Sequence, residues 1–142
     1  MFKVQYANDK ELIVEVLNNV YDNEYKIHAM CMTGLDFEKS NLNFILKDED
    51  SYLFMHENKP LALFGLRVGE FPVMWAMPRK DMTSKENVAY LRYGRKIILE
   101  WYNQFGTIYA PLHEDWEEAR RIVFFLGFKE TVDGIAVFNG GN

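Results

Sequence analysis

Phe2-Lys3-Val4-Gln5-Tyr6 alternates apolar and polar side chains, the period of a strand with one buried face. Asn8 or Asp9 then offers a helix cap, and Leu12, Ile13, Val16, Leu17 and Val20 recur at three- and four-residue intervals. Thr33-Gly34 signals a turn, after which 36–46 has helical character. Three strand patterns follow at 51–56, 61–68 and 71–77, joined by Glu57-Asn58-Lys59-Pro60 and by Gly69-Glu70. Connections this short favour an antiparallel meander.

Pro78 ends the third of these strands, and a polar stretch at 81–84 leads into the longest periodic segment of the chain. Thr83, with Glu86 three places later, has the spacing of a capping box. Val88, Leu91, Gly94, Ile98, Trp101 and Phe105 then form one helical stripe, and Gly106 is its natural stop. The chain closes with a strand at 107–112 and a helix opened by His113 or Asp115. That helix runs through Phe125 to Gly127-Phe128, and a hairpin of 129–131 with 135–138 turns about Asp133-Gly134. The strand–helix–strand passage through 71–112 requires a crossover, with its two strands parallel and adjacent. The pattern predicts a single α/β domain over 1–142: a mixed, mostly antiparallel sheet of about seven strands flanked by about four helices.

Composition narrows the setting. With 49% hydrophobic and 15% aromatic residues the chain can build a core, which excludes disorder. The longest apolar run, 122–128, falls short of the roughly 20 residues of a membrane span. The N-terminus lacks the apolar stretch of a signal peptide, and a lone Cys31 fits a reducing compartment. The expectation is a soluble, intracellular protein. A net charge of −5 argues against general nucleic-acid binding. That charge is unevenly spread: 1–50 holds five Lys against ten acids, whereas 79–96 holds six cations against Asp81 and Glu86. A basic segment of this kind is an anion site or a solvated helix face.

Other constellations carry less chemistry. His28 and Cys31 share a helical turn, but a metal needs three or four ligands and no others lie nearby, so no metal is expected. Tyr21, Tyr25, Met30 and Met32 form a soft cluster, and Trp75, Trp101 and Trp116 read as core. No nucleotide-loop, zinc-protease or nucleophile-elbow motif occurs.

The element order resembles the GNAT family of acyl-CoA-dependent N-acetyltransferases over nearly the whole chain. Val4, Ala7, Asp9 and Ile13 look like its first strand and helix, and Gly94-Arg95-Lys96-Ile97-Ile98-Leu99-Glu100 like the end of its cofactor motif. Ala119, Leu126, Gly127 and Phe128 match its closing helix and Gly-Phe signature. Within the family the chain resembles short, divergent proteins of tailed phages, some of them internal virion proteins. The resemblance implies acetyl-CoA as cofactor. Its pantetheine arm would lie on the backbone at Trp75 and Met77, and its phosphates would meet Arg79, Lys80, Ser84 and Lys85.

The departures bear on activity. Family enzymes hold the pyrophosphate on a short glycine loop, because backbone N–H groups must close on the phosphates. Here 78–93 contains no glycine, and Gly94 falls inside the predicted helix, where it permits close packing. Counting back from Gly127-Phe128, the family's frequent Asn falls on Trp116 and its general-acid Tyr on Val123, which cannot transfer a proton. Glu70, His113 and Glu114 are the carboxylates and imidazole left as candidate bases, though His113 to Asp115 also reads as a solvated helix start. The first expectation is a GNAT scaffold with eroded catalysis, acting as a virion-associated or host-interaction component. It would work with a phage or host protein partner, in the virion or the host cytoplasm. An active N-acetyltransferase and an acyl-CoA sensor without turnover are the alternatives.

Overall fold

The computed structural model describes residues 1–20, 51–111, 117–131 and 135–140. The helical stretch expected at 36–46, the Tyr21, Tyr25, His28, Met30, Cys31 and Met32 group, Trp116, and the Asp133-Gly134 turn lie outside them. Seven strands form one sheet in the order β1-β2-β3-β4-β5-β7-β6, with β1–β2, β2–β3, β5–β7 and β7–β6 antiparallel and β4–β5 parallel. Among the described residues no helix is long and apolar enough to cross a membrane. The chain divides into two compact units, Met1–Gly65 with Ala76–Glu86, and Leu66–Trp75 with Asn87–Asn142.

In the first unit, β1 (Phe2–Tyr6) pairs along its whole length with β2 (Ser51–His56). Between them in sequence, α1 (Lys10–Leu17) starts at Asp9, whose carboxylate accepts from the N–H of Glu11 at 3.1 Å and of Leu12 at 3.4 Å. Ile13, Val16 and Leu17 are buried. Val20, expected to continue this helix, lies beyond its end at Asn18 and forms a β-bridge with Arg79.

The link from β2 to β3 (Lys59–Val68) is tighter than the sequence suggests. Lys59 and Pro60 already pair with His56 and Met55, leaving only Glu57 and Asn58 in the turn. Glu57 adopts a left-handed φ of 54°, and its carboxylate pairs with the chain's amino group. The register then slips, so that Phe54 faces Ala62 and Leu61 is the extra residue of a bulge. Proline is tolerated at such a place, because no ladder N–H is needed there. Leu53, Phe54, Leu61, Ala62 and Leu63 are fully buried and, with Ile13 and Val16, form the core of this unit. Each large side chain among them contributes about 1.5–3 kcal/mol by leaving water.

The second unit contains the crossover. β4 (Pro72–Pro78) and β5 (Ile108–Pro111) run parallel through Val73 and Tyr109, as the strand–helix–strand passage requires. β7 (Ile135–Phe138) lies antiparallel on β5, and β6 (Lys129–Glu130) on β7. The long helix is α2 (Ser84–Phe105), ended by Gly106 at a φ of 83° with its N–H on the Tyr102 carbonyl. Its buried line keeps Ile98 and Trp101 of the expected stripe and departs from it at Val88. Tyr90, Ile98 and Trp101 are buried, whereas Val88 is 55% exposed. Val88 and Tyr90 stand about 200° apart on a helix, and the unit buries the larger aromatic surface. Gly94 sits inside α2, where an added Cβ would meet the Leu126 side chain at 3.4 Å. That is ordinary van der Waals contact, so the position has room for a methyl group and the close packing expected of Gly94 does not require glycine.

α3 (Glu117–Phe125) ends in a Schellman motif. Gly127, at a φ of 100°, donates to the Phe124 carbonyl, and Phe128 donates to that of Val123, both at 3.0 Å. Val123 and Phe128 are both buried at this cap.

Candidate functional site: the turn from β4 into α2

The segment expected to meet a cofactor's phosphates leaves β4 at Pro78 and enters α2 at Ser84. Arg79 fixes its course. The Arg79 N–H donates to the Leu61 carbonyl at 2.8 Å, and the next N–H, of Lys80, donates to Asn19 at 2.9 Å. The Arg79 side chain turns inward, with the residue only 8% exposed. Its Nε and one terminal nitrogen donate to the two carboxylate oxygens of Asp81 at 2.9 and 3.2 Å. The other terminal nitrogen donates to the Pro60 carbonyl at 3.3 Å and lies 3.7 Å from the Glu15 carboxylate. The bulge in β3 thus supplies two carbonyls to one arginine. The hydrogen bond from Arg79 holds the Asp81 carboxyl below the usual carboxylate range, and the same pairing pushes the Arg79 guanidinium further up.

The first turn of α2 is closed by the expected capping box. The Thr83 N–H donates to Glu86 Oε1 at 2.9 Å, and the Glu86 N–H donates to Thr83 Oγ1 at 3.2 Å. Glu86 is a carboxylate only 5% exposed, so its other oxygen needs partners. It finds them on the β2–β3 hairpin: His56 Nδ1 at 3.3 Å and Lys59 Nζ at 3.8 Å. Burial pushes the Glu86 carboxyl up. The Thr83 N–H, His56 and Lys59 outweigh that and hold it below its ordinary value.

Of the sequence-predicted contacts, the structure gathers Arg79, Lys80, Ser84 and Lys85 on this one turn. Lys80, Ser84 and Lys85 are exposed, whereas the guanidinium of Arg79 is engaged by Asp81, Pro60 and Glu15. Among the described residues the N–H groups of Ser84 and Lys85 donate to no partner, while those of Thr83 and Glu86 are satisfied by the box. Met77 is buried, and Trp75 is half-buried and belongs to the second unit. Glu70 is exposed at the β3–β4 link, and His113 and Glu114 lie outside the described residues. His56, Lys59 and Glu15 were not legible as part of this turn. His56 stands thirty residues before Glu86, and no local motif ties a hairpin to a helix cap. Among the described residues no group of three or more His, Cys, Asp or Glu could hold a metal.

No protein-family model matches the sequence, and no curated protein matches it by sequence. Solved structures match it throughout. A PaiA N-acetyltransferase from Thermoplasma acidophilum, in complex with coenzyme A, superposes with a TM-score of 0.65 at 14% identity, over 96% of both chains. A GNAT-family acetyltransferase from Bacillus anthracis gives 0.68 at 9% identity, over 99% of this chain and 96% of that one. The ribosomal-protein-S18-alanine N-acetyltransferase from Escherichia coli gives 0.64 at 12% identity, over 100% and 96%. The chain therefore has the fold of the GNAT acetyltransferases.

Proposed function

We propose that the protein uses this fold to bind an acyl-CoA weakly, with acetyl transfer reduced or lost. The observation that carries this reading is the self-capped first turn of α2. Glu86 occupies with its own carboxylate the end of the helix at which the resemblance would place the cofactor's phosphates. Two N–H groups, Ser84 Oγ and the cations of Lys80 and Lys85 still fit one phosphate, so the turn is impaired as an anion site rather than abolished. Backbone groups of β4 at Trp75 and Met77 receive the pantetheine arm. The coenzyme A bound to the Thermoplasma acetyltransferase supports the choice of ligand. The burial of Val123 in the closing cap of α3 supports weakened chemistry, because the position of the family's proton donor is used for packing. The biological role that goes with eroded catalysis is that of a virion-associated or host-interaction component. It predicts recovery of the protein with purified virions.

Thermal unfolding with and without acetyl-CoA tests the reading. A ligand that binds only the folded state raises the melting temperature. A shift at millimolar acetyl-CoA is expected, and it should disappear in Lys80→Ala/Lys85→Ala. Thiol release over a panel of amines should stay near the uncatalysed rate. No shift at any concentration would exclude cofactor binding, and brisk thiol release would make the protein an enzyme.

A further inference from the structure

The outward side of α2 beyond its first turn carries a row of side chains that acyl-CoA binding does not use. Val88, Arg92, Arg95 and Leu99 follow one another at intervals of four, three and four residues, so they share one side of the helix over about 16 Å. All four are exposed, Val88 by 55% and Leu99 by 45%. The row continues onto α3. The Arg95 guanidinium stands 5.9 Å from the centre of the Phe125 ring, and Phe125 is itself 56% exposed. The α2 backbone at Gly94 also passes close to the Leu126 side chain at the end of α3, so this pairing belongs to a continuous two-helix face within the second unit. Arg92, Arg95 and Lys96 stand against Glu100 alone in this stretch, a local field opposite in sign to the protein's net −5.

We propose that the α2–α3 face docks an acidic, amphipathic helix of a partner protein. Val88, Leu99 and Phe125 receive its apolar side chains, and Arg92, Arg95 and Lys96 meet its carboxylates. Charge complementarity selects this occupant: a basic patch on an acidic protein repels most cationic surfaces and steers acidic ones. A membrane surface fits less well. Interfacial helices present an unbroken apolar side flanked by cations, whereas here two arginines interrupt the row between Val88 and Leu99.

The experiment is a titration of the isotope-labelled protein with a synthetic amphipathic Leu/Glu peptide of about four helical turns, followed by amide chemical shifts. Changes confined to 88–99 and 121–125 are expected, weakening steeply with added salt. Arg92→Glu/Arg95→Glu should lower affinity at least about tenfold and Phe125→Ser several-fold, with Lys3→Glu on β1, in the first unit, as an unaffected control. All these positions are exposed, and unchanged circular dichroism confirms that the variants fold. Peptide shifts elsewhere, or equal binding by the charge-reversed variant, would overturn the proposal. So would binding only to phosphatidylglycerol vesicles, or self-association lost on charge reversal, which would assign the face to a lipid surface or a second copy.

Discussion

Arg79 shows how much one side chain can organise. Its backbone and guanidinium together join β3, α1 and the entry to α2 within the first unit. Arg79→Ala should cost about 2–3 kcal/mol in urea unfolding, because the Asp81 carboxylate and the Pro60 carbonyl lose a donor together. Arg79→Lys should recover only part of this, since an ammonium cannot reproduce the two-pronged contact with Asp81. Sequence alone marks Arg79 as one cation in a basic run. Its inward turn depends on Pro60 and Glu15, whose arrival no local pattern announces. The capping partners Thr83 and Glu86 were legible, because that device is written in three residues. Glu86 also gives a pH test. Its carboxyl is held below the ordinary value, so its stabilisation is complete above about pH 4.3 and fades as pH falls through the lowered value. The stability difference between the protein and Glu86→Gln should therefore be largest near neutrality and shrink below about pH 4.

At the scale of elements, the ends of helices were easier to read than their faces. Asp9, Thr83, Gly106 and Gly127 all act where the sequence places them, because caps and left-handed stops are local chemistry. Gly127→Ala should destabilise by about 1 kcal/mol, since a Cβ is strained at a φ of 100°. Gly94→Ala should do the opposite. The new methyl meets one flexible Leu126 methyl at 3.4 Å, and helix propensity gains up to about 1 kcal/mol. Calorimetry on the pair separates a glycine that its φ requires from one that the helix merely tolerates. The face of α2 was misread at Val88 because apolar spacing alone admits two rotations of a helix this rich in apolar residues. The choice fell to Tyr90, which lies in the core and whose hydroxyl burial pushes well above its usual range.

For the whole molecule, the order of the described strands and helices was legible because the links between β2, β3 and β4 are short and the passage from β4 to β5 must cross over. The state of the β4–α2 turn was not, since a missing glycine says what is absent and not what takes its place. What takes its place is a carboxylate held by the protein's own helix. On the proposed reading, a phosphate arriving there competes with a resident anion that is tethered, always present and impossible to dilute away. Such a competitor sets a ceiling on affinity that no added lysine on the rim removes. Removing its charge should lift that ceiling: Glu86→Gln is expected to bind acetyl-CoA several-fold more tightly by calorimetric titration while unfolding at lower temperature. In this protein, holding the helix start and opening it to a ligand are opposing uses of the same few atoms.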